Sequence, residues 1–227
     1  MRDTLKNLEY FNNFVNEDSA RINRFEDKLK HGEINPERIL AVKSKVHDLK
    51  LGVLTAKYSR GDDILTLREE YIKLVDGWEE IFETEYYNKN LKMLSLAILF
   101  DVEKSISEKI KLIMGKYNVD DWLIEFFIKS FDGEQVEEKK NLLFNKPFYT
   151  LKQVVYEENK TDLLKKYLRK EWYNKDCGCY GAHKSKENIY YGYWSFEAGA
   201  IAKILNLEDG DLRDVPYYPY DLVHYKK

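Results

Sequence analysis

The stretch "LKMLSLAILFDVEKSISEKIKLIM", residues 91–114, is the most apolar run of the chain, and its reading decides the fold. Its apolar residues recur every three or four positions rather than alternating, which is the spacing of a helix. From about Asn90 to Met114 the run reads as one central, buried helix that Gly115 closes. Sustained period-two alternation bounded by turn residues is hard to find anywhere else. The fold predicted is all-α, with about eight to ten helices and no substantial β-sheet. The helices are expected in two packed subdomains, an N-terminal bundle at 1–131 and a C-terminal domain at 132–227.

Working outward towards the N-terminus, Leu5, Leu8, Phe11, Phe14, Val15, Ile22, Phe25 and Leu29 sketch a first helix that Gly32 stops, with Pro36 just beyond. Pro36 opens a second, carrying Ile39, Val42, Val46, Leu49 and Val53, and "SRGDD" breaks it. Asp62 or Asp63 can cap a third, with Tyr71, Leu74, Trp78 and Ile81 on one face. Asp120 can cap a fifth, containing Trp122, Phe126 and Phe127. "FDGEQVEEKKN" followed by Pro147 is the expected boundary between the halves, and Thr161 can cap "DLLKKYLRKEWY". In "YYGYWSFEAGAIAKIL" (190–205), Tyr191, Trp194, Ala198, Ile201 and Leu205 fall three or four residues apart, so they read as the buried stripe of a last long helix. Pro216 and Pro219 in "VPYYPYD" predict a rigid extended tail whose Tyr217, Tyr218 and Tyr220 pack back onto it.

Composition bounds the function. The 227 residues carry 37 basic and 40 acidic side chains, a net charge that offers no general attraction for nucleic acid or anionic lipid. Neither a membrane-spanning run nor a secretion signal is legible, so a cytoplasmic protein is expected. Two cysteines, Cys177 and Cys179, are too few for a disulfide framework. With His183 they could supply three zinc ligands, but no second ligand pair accompanies them. His47-Asp48 is the dipeptide of one class of metal phosphohydrolases. Such enzymes need a further histidine and aspartate, for which only His31 and Asp101 offer themselves, and the pair reads better as polar positions beside the apolar stripe. Phosphate loops, nucleophile elbows and zinc-protease helices are all missing. The expectation is a protein that is not an enzyme and uses no cofactor and no metal. The 18 tyrosines lack the neighbouring basic groove that a single-strand stacking platform needs.

Charge is unevenly placed. From Asp62 to Glu85 nine acidic residues face two basic ones, a local balance of −7. Glu69, Asp76, Glu80 and Glu83 fall opposite the Tyr71/Leu74/Trp78/Ile81 stripe, so one exposed helix face should be strongly negative. Glu134, Glu137 and Glu138 add a second acidic run. Such a face suits a solvated helix, or a surface that meets a basic partner.

The C-terminal region closely resembles the C-terminal half of the bacterial PoNe immunity (PoNi-like) proteins. The elements that carry the resemblance are Trp172, His183, Lys184, the 190–205 stretch and "YYPYDLVH" at 217–224. "YIKLVDGWEEIFETEYYNKNLKMLSLAILFDVE" (71–103) is similar to the family's N-terminal domain. The resemblance implies an immunity protein that neutralises a cognate PoNe-type DNase toxin exchanged between competing bacteria through specialised secretion systems. It implies no catalytic residues. Cys177-Gly-Cys179 stands outside the family pattern, and Asn206 sits where a glycine is common, a place where Asn can take the left-handed helix end. The surface expected to meet the toxin is Glu69, Asp76, Glu80 and Glu83 with Glu134, Glu137 and Glu138. The structural motif is Tyr191, Trp194, Glu197, Ile201 and Leu205 with Tyr217, Tyr218, Pro219 and Tyr220. Glu197 is expected to bond His183 or tyrosine hydroxyls inside the fold. Direct nucleic-acid and membrane partners are not expected, and homodimerisation is left open. A metal-dependent hydrolase and a scaffold without a toxin are the alternative functions.

Overall fold

The computed structural model describes residues 1–174 and 179–226, and among them ten α-helices and no strand. Packing divides the chain into two compact units. The first takes Met1–Phe82 and Gly181–Tyr193, the second Glu83–Tyr180 and Trp194–Lys227. The chain leaves the first unit after Phe82 and returns to it for Gly181–Tyr193.

The first unit contains α1 (Leu8–Lys30), α2 (Ile39–Arg60) and α3 (Ile64–Trp78), joined by short connections. Asn7 caps α1 through the Tyr10 N–H. Gly32 ends it at φ +67, with the Glu33 N–H reaching back to Lys28 O, the six-to-one bond of a Schellman end. Gly61, at φ +103, ends α2. A Cβ there would lie 2.9 Å from the Met1 nitrogen, so only glycine fits. The second half of α2 is buried on most sides, Leu51 to Ala56 included. His47, earlier in α2, is also buried at 5% exposure, a correction to its reading as a flanking polar position.

The second unit contains α4 (Tyr87–Leu99), α5 (Lys104–Met114), α6 (Trp122–Ser130), α7 (Asn145–Tyr156), α8 (Lys160–Lys166), α9 (Phe196–Ile204) and α10 (Tyr220–Val223); a π-helical turn at Tyr167–Trp172 continues α8. The α4 helix is buried almost all round and packs on α9 and α6. The 91–114 run is thus central but is two helices rather than one. Asp101 takes the left-handed conformation, φ +49, and the Val102 N–H bonds Ala97 O. A short polar side chain tolerates that conformation without a glycine to announce it. Asp121 rather than Asp120 caps α6, accepting from the Ile124 N–H. Thr161 caps nothing, since α8 begins one residue before it.

The 190–205 stretch also differs from its reading, because α9 starts only at Phe196. Tyr190 to Ser195 are not helical, and Gly192 sits at φ +111. Asn206 does take the left-handed position, φ +48, with the Leu207 N–H on Ala202 O. The tail is not extended either: Gly210–Leu212 forms a 3-10 turn, Tyr217 takes φ +70, and α10 follows. No helix among the described residues is long and apolar enough to cross a membrane.

Candidate partner-binding surface

Asp63 starts α3 by accepting the Thr66 N–H and hydroxyl at 2.9 and 3.1 Å, which holds its carboxyl below the usual carboxylate range. One face of α3 and the turn after it buries Leu67, Tyr71, Leu74, Trp78 and Ile81, each at most 4% exposed. Burial of that size is worth about 1.5–3 kcal/mol per large apolar side chain, enough to fix which side of the helix faces solvent. The outward side carries Glu69, Lys73, Asp76 and Glu80, all exposed. Their spacing of four, three and four residues places them in one stripe.

The acidic run from Asp62 to Glu80 is less negative than the count of charges predicts. Glu80 pairs with Lys43 at 2.5 Å and Glu70 with Lys57 at 2.6 Å. Asp62 receives both Nε and Nη2 of Arg60 at 2.7 and 2.6 Å. Three of the seven acids of this unit between 62 and 80 are therefore met by cations from α2, and Asp63 is occupied with capping. Glu69 and Asp76 are the exposed carboxylates on the outward side of α3 itself.

Glu83 is not on α3. The helix gives way to a 3-10 turn at Glu79–Ile81, the chain extends at Phe82, and Glu83 opens the second unit, half-buried, its carbonyl accepting the Asn90 side-chain amide at 3.0 Å. Glu134, Glu137 and Glu138 also belong to the second unit, exposed on the connection between α6 and α7. That connection is well bonded: Trp122 N donates to Asn141 O, Leu143 N to the Asp121 carboxylate, and the Tyr156 hydroxyl to Val136 O at 2.7 Å. The seven acids expected to act together thus fall on two units, and Glu69 and Asp76 lie on one face of α3 with Glu80 on the turn that follows it.

The aromatic motif does structural work within each unit. In the first, Tyr190 is 1% exposed. Its hydroxyl donates to Asp3 at 2.5 Å, its N–H donates to the Tyr10 hydroxyl, and its ring meets that of Tyr193 edge-on at 4.6 Å. Asp3 also accepts from the N–H groups of Leu5 and Lys6. Burial with this carboxylate bond pushes the Tyr190 phenol well above its ordinary range. Tyr191 offers its carbonyl to Ser59 and its ring edge to the bare face of Gly52. His183 bonds the Tyr193 hydroxyl at 2.8 Å and not Glu197.

In the second unit Glu197 accepts from the Tyr167 hydroxyl at 2.8 Å and the Ser195 hydroxyl at 2.6 Å. Burial pushes its carboxyl up in spite of those donors. Ile201 is fully buried, whereas Trp194 and Leu205 are half-buried. Tyr217 stacks on Tyr173 and lies against Trp172, Tyr218 donates to Asp209 at 2.5 Å, and Tyr220 stacks on His224 at 4.0 Å. Pro219 rests on Gly199. Several of these partners, Asp3, Tyr10 and Ser59 for the first unit and Tyr167 for the second, are distant in sequence, which is why spacing alone could not find them.

The candidate metal residues do not converge. His47 Nε2 faces Leu74 O at 3.2 Å from inside the fold while Asp48 is exposed. His31 bonds Asp27 O on the surface, and Asp101 closes α4 in the other unit. Cys177 lies outside the described residues, and Cys179 is half-buried. Among the described residues no group of three or more His, Cys, Asp or Glu side chains could hold a metal ion.

Comparison with known proteins adds what geometry cannot. The family model described as PoNe immunity protein (PoNi), N-terminal, matches residues 2–112, and that for the C-terminal part of PoNe immunity proteins matches 119–222. No functionally curated protein matches the sequence. Among solved structures, the crystal structure of protein PA2201 from Pseudomonas aeruginosa is similar, with a TM-score of 0.74 at 19% identity over 99% of this chain and 89% of that one. At that identity the likeness concerns the fold.

Proposed function

The chain belongs to the PoNe immunity protein (PoNi) family, and from that membership we propose that it binds a cognate PoNe-type DNase toxin and blocks the cleft through which the toxin holds DNA. The observation that carries the reading is the match of both family models, which together take in nearly the whole chain. Inhibition of this kind needs no turnover. A nuclease cleft that attracts a polyanion is basic, and a folded partner that presents fixed carboxylates can fill it and exclude the substrate.

The outward face of α3 is the contact surface in this proposal, through Glu69, Asp76 and Glu80. It is supported by the rigidity of its base: the buried Tyr71 and Trp78 hold the helix, so no backbone ordering is needed to present the carboxylates. The pairing of Glu80 with Lys43 lowers the net charge but fixes one carboxylate in place. Glu134, Glu137 and Glu138 form a separate acidic surface on the second unit, available to the same toxin.

The test is binding of the purified chain to its cognate PoNe-type nuclease, against a variant carrying Glu69→Lys, Asp76→Lys and Glu80→Lys. The association rate of the variant should fall at least about tenfold and lose most of its salt dependence, with the circular dichroism unchanged. A folded variant that associates at the wild-type rate removes the α3 face from the account.

A further inference from the structure

The α3 face also borders a cavity. A groove of about 230 Å³ opens between α1, α2 and α3. Its floor is Ile22, Val53, Leu54 and Leu74, core side chains at most 7% exposed. The volume is below the roughly 300–1,000 Å³ usual for small-molecule clefts, and suits one aromatic ring or branched aliphatic group.

The rim explains why such a group, rather than a charged one, fits. Lys57 and Lys50 stand at the mouth but are taken by Glu70 and Glu26, both at 2.6 Å. The entrance is therefore nearly neutral. Its remaining cation, Lys73, is exposed and lies in the Glu69, Lys73, Asp76, Glu80 stripe, so the pocket opens within one helical turn of the acidic contacts.

Charged contacts exposed at a rim speed encounter but hold little, whereas affinity concentrates in a few large side chains seated in desolvated pockets and ringed by polar groups. The stripe and the groove supply these two parts on one helix. We propose that the groove receives a single large apolar side chain of the toxin, presented from the edge of its basic DNA cleft, while Glu69 and Asp76 meet the basic groups beside it. This rests on the toxin-binding reading above and names its anchor.

The experiment fills the groove from its own wall. Ser19→Phe, from a half-buried position on α1, and Asn23→Phe, from an exposed one, each place a ring in the cavity without removing a core side chain. Binding of each variant to the PoNe-type nuclease is measured by surface plasmon resonance beside the wild-type chain. The expected result is affinity about 30-fold weaker, in the dissociation rate, with the melting temperature unchanged. Two folded variants that bind within about twofold of wild type overturn the inference, even where native mass spectrometry shows the groove taking a small amphiphile. Wild-type chain that does not bind the nuclease at all refutes the parent reading, and this one with it.

Discussion

Replacing Gly199 by alanine places a Cβ 2.6 Å from Pro219 Cγ and 3.2 Å from both Pro219 Cδ and Val223 Cγ2. Carbon atoms prefer about 3.5–4.0 Å, so the first contact is roughly an ångström too short. The obstacle is a proline ring at the start of α10, which cannot turn aside as a long side chain would. Relief requires α10 to lift from α9, and overpacking of this kind costs about 1–3 kcal/mol.

Alanine also stabilises a helix interior relative to glycine, by about 1 kcal/mol, which would blur the result if Gly199 were changed alone. Gly77 supplies the control. It too is helical, within α3, and a Cβ there meets nothing within 4 Å. The propensity gain is common to both sites, so the difference between Gly77→Ala and Gly199→Ala isolates the strain. For a chain of this length each kcal/mol moves the melting temperature by about 2–4 °C. Differential scanning calorimetry should place Gly199→Ala about 2–12 °C below Gly77→Ala. Adding Pro219→Ala, which removes the two proline atoms and leaves only the 3.2 Å contact with Val223, should return much of that gap. A Gly199→Ala protein that melts at or above Gly77→Ala refutes the close approach of α10 to α9.

Two further outcomes follow from buried polar groups. Asp3→Ala leaves the Tyr190 hydroxyl and two backbone N–H groups without their carboxylate, so urea unfolding should show a loss of about 2–3 kcal/mol, and a change under about 0.5 kcal/mol would contradict the tether. Burial lowers the Lys203 amine, which donates to Leu99 O and Tyr225 O, to about 8 from 10.5. Between those values the unfolded chain binds the extra proton, so this group makes stability rise with pH above 8. The urea midpoint of wild type should climb more steeply than that of Lys203→Met from pH 7.5 to 9.5; parallel slopes would contradict the burial of a charged amine there.

Helix ends marked by glycine were legible in the sequence. Gly32 and Gly61 need positive φ, and both terminate helices where expected. Asp101 does the same work between α4 and α5 with a residue that helices also use internally, so the 91–114 run looked continuous. The 190–205 stretch misled for a different reason. Rings three and four apart imitate a helical stripe, yet Tyr190 to Tyr193 are held by Asp3, Tyr10, Ser59 and His183, partners that no local pattern can indicate. On the candidate surface, spacing found the outward acids of α3 correctly. It could not see that Lys43, Lys57 and Arg60 come from α2 to meet three acids of the 62–80 run, or that Glu83 has left the helix.

The most direct test of the central claim is a titration of DNA cleavage by the purified PoNe-type nuclease with increasing amounts of this chain. A tight, stoichiometric blocker predicts that cleavage falls in a straight line and ends at one immunity protein per toxin, with no loss of the toxin itself. Undiminished cleavage at molar excess, with both proteins folded, would contradict it.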